Sequence, residues 1–182
     1  MENILDNDNI NQEIVRYINF INEIPLDFKF DNFYDFLYRM KRGIIGKGPY
    51  PNVSIFESVN RIMTDLVILF GVKDLLDGRI PELNFKRIKV EYGNENNEIH
   101  DIIAKENEKV LIGEAFNVSK SLFRIKKQKS LNKLRKNIND NTSLIIIFNN
   151  DAVNEKYKPK LGFNEYYLSI NLEKILEEEK YV

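Results

Sequence analysis

Two apolar runs around a short polar segment constrain this chain more than anything else in it. Glu98-Ile-His-Asp-Ile-Ile-Ala104 and Val110-Leu-Ile-Gly-Glu-Ala-Phe-Asn-Val118 flank Lys105-Glu-Asn-Glu-Lys109. A polar segment of that length reverses the chain between antiparallel strands. With the turn centred between Asn107 and Glu108, residues whose numbers sum to 215 face each other, and Asp101 falls opposite Glu114. Period-2 alternation puts Ile99, Asp101 and Ile103 on one side of the first strand, and Val110, Ile112, Glu114, Phe116 and Val118 on one side of the second. Two carboxylates then meet on an otherwise apolar face, where like charges repel and burial is costly unless something compensates it. A divalent cation, or a cation together with a lysine, meets that need.

The rest of the composition narrows the chemistry. The 182 residues suffice for one domain with its own core. It divides into an N-terminal helical part and loop (1–51), a core (52–150) and a C-terminal strand and helix (151–182). No run reaches the roughly 18 uncharged apolar residues of a membrane helix, and no basic segment followed by an apolar run opens the chain, so a soluble, cytoplasmic protein without membrane association is expected. Cysteine is absent and His100 is the one histidine. That excludes disulfide frameworks, thiolate zinc sites, cysteine nucleophiles and imidazole-rich metal sites. Chemistry here must run on carboxylates, lysines and hydroxyls. The net charge of −1 conceals an uneven distribution, because residues 119–138 hold eight Lys or Arg and no acid. A basic stretch in a near-neutral protein is a local footprint suited to phosphates.

In chain order, Ile10, Ile14, Tyr17, Ile18 and Ile21 form a helical stripe that Pro25 ends. A second helix is expected over 31–41 with Phe33, Phe36, Leu37 and Met40 inward. The aromatic density of 28–38 also suits base stacking, although the helical spacing favours core packing. Gly43 to Pro51 reads as a loop from its Gly and Pro content. It lacks the spacing of a phosphate-binding loop, and with Lys41, Arg42 and Lys47 it is either a connector or a nucleic-acid contact. A long helix should follow from Asn52 to about Leu76, with Phe56, Val59, Met63, Leu66 and Phe70 buried and Asp77-Gly78 as its end. Glu57, early in this helix, is either a first-turn acid favoured by the helix dipole or a third carboxylate near the hairpin. Phe85–Tyr92 alternates as a strand, and 93–97 is a turn. After the hairpin, Ser119 or Ser121 caps a helix reaching about Asn137. Ser143–Phe148 is a buried strand, Tyr166–Ile170 a last strand, and Leu172–Lys180 a final helix.

Turning the basic helix about its axis at about 100° per residue separates two stripes. Phe123, Lys127, Leu131, Leu134 and Ile138 share one side, and Lys126, Lys129, Lys133 and Lys136 share another, well over about 90° away. Lys127 is therefore a cation inside the apolar stripe. Either its ammonium snorkels to water or it reaches back toward Asp101 and Glu114, with Lys120 and Arg124 close behind. The other lysines read as a solvated face or as a phosphate-tracking one.

An Asp and a Glu on successive hairpin strands, a crossover helix and a buried strand, all preceded by a helix, resemble the PD-(D/E)xK nuclease superfamily. The resemblance covers roughly 52–150. It implies an α/β, restriction-endonuclease-like αβββαβ core, with a mixed central sheet flanked by helices and extra N-terminal helices. It further implies a metal-dependent nuclease that hydrolyses DNA phosphodiester bonds, such as a restriction or defence endonuclease. Asp101 and Glu114 match the motif acids and the Ala115 carbonyl a further Mg²⁺ or Mn²⁺ ligand, while Glu57 falls where many members place another acid. Two departures stand out: His100 replaces the motif proline, and Phe116 replaces the motif lysine. Some members move that lysine to the next helix, which is where Lys127 lies. Lys120, Arg124, Lys126, Lys129 and Lys133 are the implied DNA contacts, and a homodimer is one expectation for a small domain that cuts both strands. The alternatives are an inactive protein of the same fold that binds nucleic acid or a protein partner, and an unrelated α/β interaction module.

Overall fold

The computed structural model describes residues 3–93 and 99–177. The elements run β1 (Ile4–Leu5), α1 (Ile10–Ile21), α2 (Phe33–Arg42), α3 (Ile55–Leu76), β2 (Ile88–Val90), β3 (Ile102–Glu106), β4 (Lys109–Phe116), α4 (Lys120–Leu134), β5 (Thr142–Asn149), β6 (Glu165–Ile170) and α5 (Leu172–Glu177). The six strands form one mixed sheet in sequence order. From β1 to β4 neighbours are antiparallel, and from β4 to β6 they are parallel. A helix, three antiparallel strands, a crossover helix and a parallel strand thus follow one another from α3 to β5.

The hairpin has the register its polar turn dictates. Ile102 pairs with Gly113, Ile103 with Ile112 and Glu106 with Lys109, and Asn107 takes the left-handed conformation at φ 54° that a two-residue turn requires. Alternation along β4 and β5 divides the core between the two faces. Leu111, Ala115, Ile145 and Ile147 pack with α1 and α3, while Ile112, Phe116, Leu144, Ile146 and Phe148 pack with Phe123, Leu131 and Leu134 of α4. β5 is buried on both faces, which is why it reads as an unbroken apolar run.

Several expectations change. The strand expected over Phe85–Tyr92 shortens to Ile88–Val90, because a 3₁₀ turn at Pro81–Leu83 precedes it and the pairing ends with the Glu91 N–H donating to the Asp101 carbonyl at 3.0 Å. β1 has too few residues for any periodic signal, yet it extends the sheet beyond β2 and buries Leu5 completely. In α3 Leu66 and Phe70 are buried as expected, every residue from Asp65 to Val72 is buried, and toward the start of the helix the buried positions are Ile55, Ser58 and Ile62. Phe56 and Val59, expected buried, are half-exposed, because the first turns of α3 bury only Ile55 and Ser58. α2 buries none of its residues: Phe33 and Leu37, expected inward, are 72% and 51% exposed. The expected turn at 94–97 and the end of the last helix at 178–180 lie outside the described residues.

Candidate active site

β3 leaves the ladder one residue before Asp101 would pair with Glu114, and this early departure shapes the site. Residues 99–101 form a bend rather than strand, so β4 runs on beyond its antiparallel partner with only β5 beside it. The N–H of Ala115 is left facing the vacated edge, and Asp101 Oδ2 accepts it at 2.8 Å. The carboxylate fills the place of the missing strand carbonyl. A residue's N–H and C=O leave a strand on the same side, so the Ala115 carbonyl is also directed to this edge.

Glu114 keeps the orientation the alternation assigns it, toward α4 with Ile112 and Phe116, and is 5% exposed. The expectation that Asp101 shares its face is corrected. The residue against Glu114 is His100, itself buried, whose Nδ1 lies 3.1 Å from Glu114 Oε1. Because the bend breaks the alternation, His100 turns to the α4 side, and Asp101 sits at the sheet edge in touch with both sides. On the α3 side it lines a void of about 10 Å³ with Arg61, Thr64, Asp65 and Glu91, about enough for one water. Across the edge it feels the charges of Glu114, Lys133 and Lys126. Burial first, and the nearby Glu114 second, push its carboxyl up to about 6, against the Ala115 N–H, Lys133 and Lys126, which favour the ionised form.

The cation beside Glu114 is Lys133, not Lys127. Lys133 Nζ lies 2.7 Å from Glu114 Oε1. Lys127 Nζ instead lies 3.1 Å from the Tyr157 hydroxyl and 5.6 Å from that ring's centre. Its partner Tyr157 lines a separate cavity of about 450 Å³ with Asn150, Tyr167 and Asn171, at the ends of β5 and β6. The wheel placed Lys133 on the far stripe, but Ser130 is buried along with Phe123, Leu131 and Leu134. The buried side of α4 is therefore rotated toward the lysine stripe, and a lysine stem on its flank is long enough to reach the sheet. Lys126 uses the same flank, its ammonium 5.8 Å from the centre of the Phe116 ring. Phe116 itself is fully enclosed against Phe123 and Phe148.

Of the other candidates, Lys120, Arg124 and Lys129 are exposed on α4. Arg135, from the same basic stretch, pairs with buried Glu165 of β6 at 2.5 Å, so acids on the strands partner part of this helix. Glu57 is half-exposed and pairs with Arg61 at 2.5 Å, while its N–H donates to the capping Ser54 Oγ at 3.2 Å. It does not reach the Asp101 carboxylate. It lines a groove of about 620 Å³ between α3 and the β4–α4 turn, with Phe56, Asn60, Asn117, Ser119 and Leu122. Arg61 and Thr64 line both this groove and the Asp101 void, which makes the two adjoining spaces.

The acid that α3 does bring to the Asp101 void is Asp65. Tyr17 donates to its Oδ2 at 2.5 Å, Tyr50 donates to the same oxygen, and the Gly93 N–H donates to Oδ1 at 3.0 Å. Its signal in the sequence is an acid three residues after Ile62 and directly before the apolar run Leu66–Phe70, a position that helical geometry turns inward. Among the described residues, no three His, Cys, Asp or Glu side chains are grouped so as to hold a metal ion. The donor set here is two carboxylates and a peptide carbonyl. Each carboxylate commits one oxygen: Asp101 Oδ2 to Ala115, and Glu114 Oε1 to both His100 and Lys133. Oδ1 and Oε2 have no partner among the described residues. Hard oxygens on two mutually repelling carboxylates suit Mg²⁺ or Mn²⁺ better than zinc. No helix among the described residues is long and apolar enough to cross a membrane. Comparison with known protein families, with characterised proteins and with solved structures finds no match to this chain.

Proposed function

We propose that this chain is a metal-dependent nuclease of the PD-(D/E)xK type that hydrolyses DNA phosphodiester bonds. The observation that carries the reading is the splayed edge of β4. There Asp101, Glu114 and the Ala115 carbonyl gather beside a cation supplied by α4. Asp101 and Glu114, through Oδ1 and Oε2, and the Ala115 carbonyl would hold Mg²⁺ or Mn²⁺. Such an ion polarises the phosphate and lowers the pKa of a bound water. Lys133 takes the part of the motif lysine that Phe116 displaces: its ammonium, already on Glu114, supplies positive charge where negative charge builds on the phosphate. Lys126, over the Phe116 ring, brings a second positive charge to the same flank. His100 fixes the Glu114 rotamer, and Lys120, Arg124 and Lys129 are exposed for backbone phosphates.

The test is cleavage of plasmid and linear DNA by the purified chain with Mg²⁺ or Mn²⁺. Asp101→Ala and Glu114→Ala should abolish cleavage. Lys133→Ala should lower it about 10²–10³-fold, the loss typical of one charge-stabilising donor, whereas Lys127→Ala should leave it near the parent rate. Intact DNA under all metal and salt conditions refutes the nuclease. A second reading, a nuclease-like fold that binds DNA without cutting it, draws on Phe116 being locked in the core and Glu114 being closed off on one oxygen. It predicts salt-sensitive affinity that survives Asp101→Ala and Glu114→Ala and falls when Lys126, Lys129 and Lys133 are neutralised.

A further inference from the structure

The aromatic residues of α2 form an outward face that the core does not use. Phe33, Tyr34, Leu37 and Tyr38 are 72%, 77%, 51% and 60% exposed. Helical spacing groups them with Lys41 within about 140° of arc, a face that carries no acid. Asp35 lies on the other side, paired with Arg39 at 2.7 Å. A ten-residue helix with no buried side chain gains little from packing, so this apolar area is not there to build the domain.

The face also leads to the site. Lys41 Nζ stands 4.6 Å from the centre of the Phe56 ring on α3. Phe56, half-exposed, lines the 620 Å³ groove together with Glu57 and Arg61, which pair with each other, and Arg61 and Thr64 also line the Asp101 void. Between these walls Asn60 and Asn117 offer amide groups that match base edges. The groove falls in the size range of small-ligand sites, about 300–1,000 Å³, large enough for a nucleotide. Exposed rings beside a cation, here Lys41, suit single-strand recognition, because every base has a face to stack and every phosphate a charge. A duplex keeps its bases inside and has no use for an exposed row of rings.

We propose that a single DNA strand crosses the aromatic face of α2 and Phe56 and places an unpaired nucleotide in the groove between α3 and the β4–α4 turn. The substrate class is DNA with unpaired nucleotides, such as an overhang, flap or bubble, rather than uninterrupted duplex. This rests on the nuclease reading for its chemistry, but its binding step does not need cleavage.

The experiment measures binding of the full chain to fluorescent oligonucleotides in EDTA, so that no metal-dependent cutting intervenes. The probes are a single strand, the same strand in duplex, its RNA counterpart, and a single strand carrying 2-aminopurine. Parent protein should bind the DNA single strand at least about 10-fold tighter than duplex and should quench the 2-aminopurine. Phe56→Ala, and Tyr34→Ala with Tyr38→Ala, should each weaken binding about 5- to 100-fold, in line with about 1–3 kcal/mol per stacked base, and Phe56→Tyr should restore it. These positions are half-exposed or more, and circular dichroism checks that the variants fold. Equal affinity for duplex, tighter binding of the RNA counterpart, or unchanged affinity in the aromatic variants overturns the proposal. So does a parent dimer that the same substitutions dissociate without loss of strand binding, which would make the face a contact for a second copy. Strand binding without cleavage under any metal condition would sink the nuclease reading alone.

Discussion

Asp65 is fully enclosed, with three donors around it, yet its carboxyl rises to about 6 because burial outweighs the hydrogen bonds from Tyr17, Tyr50 and Gly93. The same burial, with the Asp65 charge beside them, raises both phenols above their usual range. An acid whose folded pKa exceeds its unfolded one binds its proton more tightly when folded. The stability linked to Asp65 is therefore full below about pH 4, falls as pH rises toward 6, and is lowest above it. The shift is worth about 3 kcal/mol. Chemical denaturation from pH 4 to pH 7.5 should show that decline, and Asp65→Asn, which keeps an acceptor for the tyrosines, should reduce it to the part that Asp101 contributes. A parent stability that rises over this interval while Asp65→Asn is unchanged would contradict the assignment. Asp101 shows the same conflict at the site itself. Asp101→Asn removes a buried charge from beside Glu114 and should make the metal-free chain more stable at pH 7.5.

At the scale of elements, two glycine-related positions fix how the site's walls are set. Gly71 lets α3 approach β5 closely: a Cβ there would lie 2.6 Å from Ile147 Cγ2, a branched side chain with no exposed surface. Gly71→Ala gains about 1 kcal/mol of helix propensity but overpacks the interface by about 1–3 kcal/mol. The denaturation midpoint should fall, and an increase would mean α3 can shift away from the sheet. The hairpin turn makes the opposite demand. Asn107 at φ 54° should accept Gly readily, whereas Asn107→Val places a β-branched side chain in the left-handed region at about 1–2 kcal/mol. Both effects are read from the same urea titrations, and a tolerated valine would show that the turn relaxes.

For the whole molecule, the proposed metal binding would be linked to folding, because the unfolded chain does not hold the β4 edge together. Mg²⁺ or Mn²⁺ at about 100 times its dissociation constant should stabilise the parent by about 2.7 kcal/mol. Asp101→Asn should lose most of that gain. The variant would be the more stable protein without metal and the less stable one with it, a crossover that thermal melts with and without Mn²⁺ can detect. If the ion shifts both proteins equally, it binds elsewhere. The near-zero net charge sets no long-range preference for DNA, so DNA affinity should depend on the local α4 lysines and decline steeply with salt.

The sequence by itself determined what depends on neighbours along the chain. The hairpin register followed from where Lys105–Lys109 falls, and the long helix from its spacing and its Asp77-Gly78 stop. The two-sided burial of β5 followed from an unbroken apolar run, and Glu114 held the face that alternation assigns. What only the tertiary structure decided lies where distant elements meet or a strand ends. β3 begins only at Ile102, one residue after Asp101, so His100 rather than Asp101 faces Glu114, and Asp101 becomes the cap of Ala115. The side of α4 that packs on the sheet, which includes Ser130, chose Lys133 over Lys127, a difference that a helical wheel without its partner surface does not contain. α2 looked like core because its spacing is amphipathic. Spacing describes a face, and only packing decides whether another element covers it.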